Sequence, residues 1–275
     1  MLRKIAYLML VVSAGALVGT TVWGQGAPEV TLTRLGDCGT GSPRMVNDRF
    51  SDTYAYGDLK VEFVFSCYLI KHGSDYMMWD TGQAMTAVGG VAPKVSVVDQ
   101  LKKLNVTPEQ IKYVGISHYH GDHTGQIDSF PGATVMIGKG DWDAISSPKP
   151  AGGVNFKPFA HWLSGGGKVE PLSSDKDVFG DGSVVMLDLP GHTPGHHGLL
   201  VKLKNKGNVL LTGDLAHLRE NYESNGVPTF NVSRADTLAS MDRIKKLAAA
   251  HKATVIIQHD ARDIEKLPVF PAFAK

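Results

Sequence analysis

The sequence His118-Tyr119-His120-Gly121-Asp122-His123 follows an apolar run and places three imidazoles and one carboxylate within six positions. Imidazole and carboxylate groups are the usual protein ligands of zinc and similar divalent metals. Because side chains alternate with a period of two in extended backbone, His118 and His120 are expected to point to the same side. Asp122 and His123 can then turn toward a second point. The stretch therefore predicts a hydrolytic metal centre in which one loop supplies ligands to two adjacent metals.

Three further candidate ligands stand later in the chain. His192, Asp214 and His259 each come shortly after an apolar run rich in Val, Leu and Ile. Gly191 and Gly213 directly precede two of them, and glycine lets the backbone bend where a side chain must turn toward a shared point. In layered α/β folds, sites collect beyond the carboxyl ends of strands. We therefore expect five histidines and two aspartates to meet at one edge of the fold.

Alternating strand and helix patterns predict an α/β fold. Helical spacing of apolar residues predicts one helix near residues 97–104 and a long helix over residues 234–250, for which Ser233 is the expected N-cap. The segments 39–57 and 138–167 lack a regular pattern, which is typical of lids and binding loops. The predicted strands cover residues 30–35, 61–70, 76–79, 112–116, 134–137, 184–189, 198–203, 209–211 and 254–257.

The first 26 residues have the pattern of a secretory signal peptide. Arg3 and Lys4 precede an apolar stretch over residues 5–18, and a region of small residues follows it. An uncleaved membrane anchor is the alternative interpretation. We expect an exported protein, periplasmic or secreted, in which residues 27–275 form a single domain large enough to bury a proper core. No membrane contact is expected once the signal is removed.

The charge composition bears on the binding partners, and the cysteine content bears on a possible disulfide. The chain carries 28 Lys and Arg against 27 Asp and Glu, and it has no basic run, so there is no electrostatic case for nucleic-acid binding. An exported protein can pair its only two cysteines, Cys38 and Cys67. Cys67, however, lies within an apolar predicted strand, where a buried free thiol is common. We therefore favour free thiols and keep the disulfide as the alternative.

Taken together, His118-x-His120-x-Asp122-His123, Gly-His192-Thr-Pro-Gly, Gly-Asp214 and the late His259 resemble the metallo-β-lactamase superfamily over nearly all of residues 27–275. The resemblance implies an αββα four-layer sandwich and two divalent metal ions, for which Zn²⁺ is expected. It assigns the first metal to His118, His120 and His192, the second metal to Asp122, His123 and His259, and the bridge between them to Asp214. It also implies that Asp80 and His196 orient ligands through hydrogen bonds; a plain turn carboxylate is the alternative for Asp80.

Within that superfamily, the bridging Asp214 argues against a typical β-lactam-degrading enzyme. Residues 67–82, the helix after residue 237 and the ending 259–271 resemble the N-acyl homoserine lactonase family of quorum-quenching enzymes. That resemblance implies hydrolysis of the lactone ring by a metal-bridging hydroxide, with Asp122 carrying the proton. Many of these lactonases have a tyrosine where this chain has His217. An imidazole can also donate a hydrogen bond to an oxyanion, although an ordinary loop residue is the alternative.

We expect the acyl chain of the substrate to lie along the two irregular segments. Packing beneath the loops is the alternative for each of the candidate contacts to the acyl chain, which are Met45, Phe50, Tyr54, Phe156, Phe159 and Trp162. Two rival functions are kept open: an exported metallo-hydrolase of other esters, phosphotriesters or β-lactams, and a non-catalytic binding protein on the same fold. The complete ligand set disfavours the second rival. The expected partner is a small acyl lactone, and the family is compatible with a homodimer.

Overall fold

The computed structural model describes residues 28–87 and 92–275, and the predicted signal peptide lies outside these ranges. No helix within the described ranges is long and apolar enough to cross a membrane. The strands are β1 Val30–Arg34, β2 Arg44–Met45, β3 Lys60–Val61, β4 Tyr68–His72, β5 Asp75–Trp79, β6 Ile111–Ile116, β7 Thr134–Gly138, β8 Val169–Leu172, β9 Lys176–Asp177, β10 Val184–Asp188, β11 His197–Leu203, β12 Gly207–Leu211 and β13 Thr254–Ile256. The α-helices are α1 Val97–Lys103, α2 Gly121–Thr124, α3 Lys139–Ile145, α4 Ala160–Leu163, α5 Arg219–Ser224, α6 Arg234–His251 and α7 Ala261–Ile264.

Two β-sheets form the centre of the molecule. One has six strands in the order β1-β4-β5-β6-β7-β8, and the other has five in the order β13-β12-β11-β10-β9. Strands β5 to β8 run parallel, and β12 runs parallel to β13. Apolar side chains of both sheets, such as Trp79 and Met186, belong to one buried cluster. The sheets therefore pack face to face, as apolar faces require.

The helices cover the outer faces of the two sheets. Val97 and Leu101 of α1 join Met78 of the first sheet in a second buried cluster. Met241 of α6 packs with Leu210 of the second sheet in a third cluster. This arrangement of helix, sheet, sheet and helix confirms the predicted αββα four-layer sandwich.

Helix α6 illustrates how local sequence sets an element. The Ser233 side chain accepts the backbone N–H of Asp236 at 3.2 Å and so caps the helix. Met241, Ile244 and Ala248 are buried at the spacing of one helical face. The helix ends at Lys252, which adopts the left-handed conformation with φ of 50°. The predicted helix over residues 234–250 is therefore confirmed with one further residue.

The predicted strand over residues 61–70 is wrong in its middle. Only its two ends are strands, in β3 and β4. The chain between them is a crossing segment that runs beside His259. Phe63 forms an isolated bridge with Asp260, and the Val64 N–H donates to the His259 carbonyl oxygen at 3.1 Å. The apolar run is continuous in sequence because both the sheet and this crossing segment are buried.

The free-thiol expectation is also wrong, since Cys38 and Cys67 form a disulfide with their Cα atoms 5.9 Å apart. Cys67 directly precedes β4, so its side chain is free to reach the neighbouring loop. The bond attaches the segment after β1 to the first sheet. Gly41, three residues after Cys38, lines the cavity described below.

The two segments predicted to be irregular contain short elements. Segment 138–167 includes α3 and α4, and segment 39–57 includes β2 and a single π-helical turn over Val46–Phe50. These elements are too brief to show a clear period in sequence. Strand β8 was not predicted because Pro171 lies within it, and proline is tolerated there because β8 is at the sheet edge.

Candidate metal centre

The loop after β6 brings its histidines together with the loop after β10. The donor atoms of His118, His120, His192 and Asp214 all lie within 4.8 Å of one another. His118 Nε2 lies 2.9 Å from His120 Nδ1 and 3.1 Å from His192 Nε2. Three ring nitrogens that converge at such distances fit one shared cation better than any pattern of mutual hydrogen bonds. These residues form the first ligand group.

A second ligand group lies beside the first. It consists of Asp122, His123, Asp214 and His259, whose donor atoms also lie within 4.8 Å of one another. His123 Nε2 and His259 Nε2 are 3.2 Å apart, and Asp122 Oδ2 lies 3.6 and 3.5 Å from them. The structure thus brings together, in the two expected sets, all the residues predicted from the sequence as ligands.

Asp214 belongs to both groups. Its Oδ2 lies 3.4 Å from His192 Nε2, and its Oδ1 lies 2.8 Å from His259 Nε2. Within the described residues, no nearby ring nitrogen meets hydrogen-bond geometry with Oδ1, and a native protein rarely leaves a buried carboxylate oxygen without such a bond. Gly213 makes the turn with φ of 55°, and a Cβ there would meet His196 at 2.5 Å. The carboxylate fits a bridge between two divalent cations.

Hydrogen bonds on the opposite ring nitrogens orient the histidines of the second group. His123 Nδ1 lies 2.8 Å from Asp80 Oδ2, and His259 Nδ1 donates to the Val64 carbonyl oxygen at 2.7 Å. Each bond leaves Nε2 facing the centre, as a metal ligand requires. Asp80 is fully buried, adopts the left-handed conformation, and also accepts the Ser117 N–H at 2.8 Å. Its place in the structure is that of the predicted orienting residue.

The first group and the bridge are oriented in the same way. His192 Nδ1 donates to Asn231 Oδ1 at 2.9 Å. His196 Nε2 accepts the Asp214 backbone N–H at 2.9 Å, and its Nδ1 donates to the Leu189 carbonyl oxygen at 3.0 Å. His196 therefore holds the backbone that carries the bridging carboxylate, which is the kind of role predicted for it. The sequence analysis did not identify Asn231.

The electrostatics of the site suit cation binding. Burial lowers the pKa of His118 and of His192 well below the ordinary value, so both rings are neutral and carry a free lone pair. Burial alone would raise the pKa of Asp214, but the surrounding histidines hold it well below its usual range. Burial also lowers the pKa of His123 and His259, but Asp214 and Asp122 outweigh it and raise both values above the ordinary one. The second group would therefore release protons when it binds a cation, as metal ligation does.

A further buried carboxylate connects two ligand loops. Asp141 of α3 accepts the Tyr119 N–H at 3.1 Å, the Thr193 hydroxyl at 2.8 Å and the Gly195 N–H at 2.7 Å. Burial raises the pKa of Asp141 to about 7. Tyr119 lies between two ligands of the first group, and Thr193 follows a third. The sequence analysis missed Asp141, because an acidic residue at the start of a short helix gives no distinctive signal.

His217 lies next to the bridge. Its Nε2 is 3.0 Å from Asp214 Oδ2, and burial lowers the pKa of the ring. Its ring centroid lies 5.1 Å from that of Phe50 and 5.3 Å from that of Phe230. His217 also lines the cavity over the metal centre. His217 is thus a cavity residue in contact with the bridging carboxylate.

A cavity of about 530 Å³ opens over both ligand groups. Its wall combines metal-ligand residues with an aromatic surface and two arginines. We call the four aromatic side chains Phe50, Phe63, Phe65 and Phe230 the phenylalanine wall. The other lining residues are Gly41, Arg44, Arg49, Gln83, His120, Asp122, Gly152, Gly153, Asp214 and His217.

Of the predicted substrate contacts, Phe50 alone lines this cavity; Met45 is half-buried elsewhere. Phe159 and Trp162 pack in the cluster that covers the first sheet. Tyr54 is 72% exposed and Phe156 is 40% exposed, and neither reaches the wall. The structure therefore does not bring these five residues to the cavity, because a large apolar residue in a loop can pack in the core, lie at the surface or line a cavity. Phe63, Phe65 and Phe230 were missed for the same reason.

Comparison with known proteins agrees with this geometry. Residues 63–259 match the family model of the metallo-beta-lactamase superfamily. The N-acyl homoserine lactonase AttM of Rhizobium radiobacter is 32% identical over 229 residues, which cover 74% of this chain and 86% of that protein. The N-acyl homoserine lactonase of Bacillus cereus is 28% identical over 227 residues, which cover 75% of this chain and 85% of that protein.

Solved structures show the same fold. A quorum-quenching N-acyl homoserine lactone lactonase superposes with a TM-score of 0.74 at 24% identity, covering 90% of this chain and 98% of that chain. AidC, a dizinc quorum-quenching lactonase in complex with a product, superposes with a TM-score of 0.64 at 18% identity, covering 90% of this chain and 91% of that chain.

Proposed function

This chain belongs to the metallo-beta-lactamase superfamily and, within it, to the N-acyl homoserine lactonase family, and from that premise we propose that it hydrolyses the lactone ring of N-acyl homoserine lactones. The observation that carries the proposal is the pair of ligand groups that share Asp214 beneath a cavity with an aromatic wall. The chain is accordingly a metal-dependent lactone hydrolase.

We infer that both ligand groups bind Zn²⁺. Five imidazoles and two carboxylates form the donor set, and nitrogen with some oxygen is the combination that zinc prefers. Two bound divalent cations supply Lewis acidity toward the lactone carbonyl and lower the pKa of a water molecule toward neutrality. Metal analysis of the purified protein is expected to give about two equivalents of zinc.

Asp122 is the proposed proton carrier. Its side chain is 20% exposed and lines the cavity, whereas the other ligands of its group are almost fully buried. Hydrolysis adds the oxygen of one water molecule to the carbonyl carbon and breaks the ring C–O bond. Asp122 takes the proton that this oxygen releases and delivers it to the departing ring oxygen, which yields the N-acyl homoserine. General acid–base transfer of this kind contributes about 10²–10⁴-fold.

His217 is the proposed donor to the carbonyl oxygen. With Nε2 protonated, its N–H lies beside Asp214 at the edge of the cavity and can donate to an oxygen that gains negative charge. The neutral ring, favoured by burial, keeps one N–H and one lone pair. Donors aimed at a developing oxyanion supply a large share of catalysis in acyl transfer.

The phenylalanine wall is the proposed surface for the acyl chain. Phe50, Phe63 and Phe65 come from the segments around the disulfide, and Phe230 comes from the loop before α6. An apolar chain laid against them removes its surface from water, at about 25 cal/mol per Å². A cavity of about 530 Å³ accommodates a lactone with a medium-length chain.

Export to the periplasm or medium remains our proposal for localisation. The pairing of Cys38 and Cys67 supports it, because structural disulfides persist in oxidising compartments. The homodimer stays a prediction.

A substrate panel tests the proposed function. The purified zinc protein is assayed for kcat/KM with N-hexanoyl homoserine lactone, a paraoxon-type phosphotriester, an aryl ester and a cephalosporin. We expect the lactone to be the best substrate by about 10²-fold or more, which corresponds to a few kcal/mol of differential transition-state binding. A kcat/KM for the phosphotriester, aryl ester or cephalosporin equal to that for the lactone contradicts the proposal. Lactone hydrolysis that continues after both metals are removed also contradicts it.

A further inference from the structure

Gln258 lies directly before His259 and is fully buried. Its Nε2 donates to Asp80 Oδ2 at 3.0 Å. Its Oε1 accepts two hydrogen bonds, from Trp79 Nε1 at 2.9 Å and from the Gly213 backbone N–H at 3.0 Å. One carboxamide therefore joins three separate parts of the chain: the end of β5, the turn after β12 and the loop after β13.

Two of these hydrogen bonds, and the backbone of Gln258 itself, lead to different members of the second ligand group. Asp80 holds the ring of His123 through its Nδ1 at 2.8 Å. Gly213 directly precedes the bridging Asp214, and the Gln258 backbone continues into His259. Gln258 thus connects the supports of three ligands that come from three different strand ends.

Among the hydrogen bonds of the described residues, Gln258 reaches a histidine of the first ligand group only indirectly, through Asp80 and the Ser117 hydroxyl, which lies 3.1 Å from His118 Nδ1. His192 is held by Asn231, and the loops that carry its histidines are joined by Asp141. The side chains that orient the histidines of the two groups therefore differ, and their hydrogen-bond networks join at Asp214 and at Ser117.

The chemistry of the position calls for a neutral group with both a donor and an acceptor. Asp80 Oδ2 already accepts from the Ser117 hydroxyl at 2.9 Å and from His123, so a carboxylate at position 258 would face it with like charge. An apolar side chain would leave Trp79 Nε1 and the Gly213 N–H buried without partners. Glutamine is neutral, carries both a donor and an acceptor, and is long enough to reach all three partners.

We propose that Gln258 is a positioning residue that sets the ligand geometry of the second metal and acts on the first only through the shared Asp214 and through Ser117. The inference rests on the dinuclear centre of the proposed function but not on the identity of the substrate. Partners that orient ligands through hydrogen bonds typically change metal affinity by about 10–100-fold when they are removed.

Zinc binding tests the proposal directly. Wild type, Gln258→Met and Gln258→Glu are depleted of metal and titrated with Zn²⁺ against a chromophoric chelator, which resolves the two binding steps. We expect the second step to weaken by about 10–100-fold in both variants and the first to weaken much less. In titrations with Co²⁺, the absorption that appears with the second equivalent of metal should differ between the variants and wild type.

Gln100→Met is the matched control. Gln100 is also buried and accepts the Gly36 and Asp37 N–H groups at 2.7 and 2.9 Å, but among the described residues it makes no hydrogen bond to a ligand loop. This variant should lose stability and keep both zinc affinities. Equal weakening of both steps in the Gln258 variants, an unchanged second step, or a second step weakened as much in Gln100→Met overturns the proposal. Failure of both Gln258 variants to fold with excess zinc also overturns it, since the role would then be general.

These readouts separate the inference from the proposed function. If the protein binds two zinc ions in the expected pattern but hydrolyses no lactone, the proposed substrate is contradicted and the proposed role of Gln258 is not. For an active enzyme, the zinc concentration that gives half of the maximal rate should rise in Gln258→Met, while kcat at saturating zinc stays close to that of wild type.

Discussion

The metal centre and the phenylalanine wall lie against each other but are built differently. The ligands follow the ends of β6, β10, β12 and β13, and His123, His192 and His259 each have a hydrogen-bond partner on the ring nitrogen that faces away from the centre. The wall comes from the crossing segment before β4, the π-helical turn and the loop before α6. Sheet hydrogen bonding positions the first region, whereas side-chain packing positions the second.

This difference predicts how substitutions act. A change in the centre should alter metal content and kcat, because the ligands are few and their geometry is exacting. A change in the wall should alter KM and depend on acyl-chain length, because apolar contacts are many and individually weak. The substitutions below test that division in order of decreasing effect.

Asp214→Ala should have the largest effect, since both ligand groups lose their shared carboxylate. We expect zinc content to fall from about two equivalents to below one, and kcat/KM to fall by about 10³-fold or more, because metal ions contribute several kcal/mol to such reactions. Elemental analysis and lactone hydrolysis measure the two effects. Asp143→Ala, at a position whose side chain is 58% exposed, is the control and should match wild type. Full zinc content in Asp214→Ala would contradict the assignment of the bridge.

Asp122→Asn should follow, because the amide cannot accept and release the proton. At saturating zinc, kcat is expected to fall by about 10²–10⁴-fold. Single-turnover rates with lactones whose leaving oxygens differ in basicity give a sharper test. The variant should be slowed most for the poorest leaving group. If the deficit is the same for every leaving group, Asp122 acts as a ligand alone.

His217→Phe should have an effect of about 10²–10³-fold on kcat, the usual result of removing one donor to an oxyanion. Phenylalanine keeps the packing against Phe50 and Phe230, so zinc content and the melting temperature should stay near those of wild type. His217→Tyr restores a donor and should recover most of the rate. A rate for His217→Phe within a few-fold of wild type would favour the ordinary loop residue instead.

The same division explains what the sequence could predict. The ligands were identifiable because imidazoles and carboxylates follow apolar runs at strand ends, and few other roles explain that pattern. The α/β class follows from alternating strand and helix periods, whereas the four layers were implied by the resemblance to the metallo-β-lactamase superfamily. Gln258 and Asp141 gave no such signal, because a buried amide or carboxylate is recognised only through partners that are distant in sequence, such as Asp80 or Thr193.

The wall and the disulfide were beyond sequence reasoning for a related reason. Phe63 and Phe159 are both aromatic residues in apolar surroundings, yet Phe63 lines the cavity and Phe159 is packed in the core. Whether an aromatic residue lines the cavity or packs in the core depends on where its segment crosses the sheets. Likewise, Cys67 fits a buried strand as a free thiol until the loop carrying Cys38 is placed next to it.

Phe230→Ala should have the smallest effect and tests the wall itself. Burying a phenylalanine-sized contact is worth about 1.5–3 kcal/mol, so KM for N-decanoyl homoserine lactone should rise about 10-fold or more, while kcat and zinc content stay constant. The effect should shrink for the N-butanoyl substrate, which has less chain to lay against the wall. Phe156→Ala, at an exposed position off the cavity, is the matched control and should leave KM unchanged for both substrates. A KM that rises equally for the short and the long chain, or a fall in kcat without a change in KM, would show that Phe230 acts on the metal centre and would remove the division between the two regions.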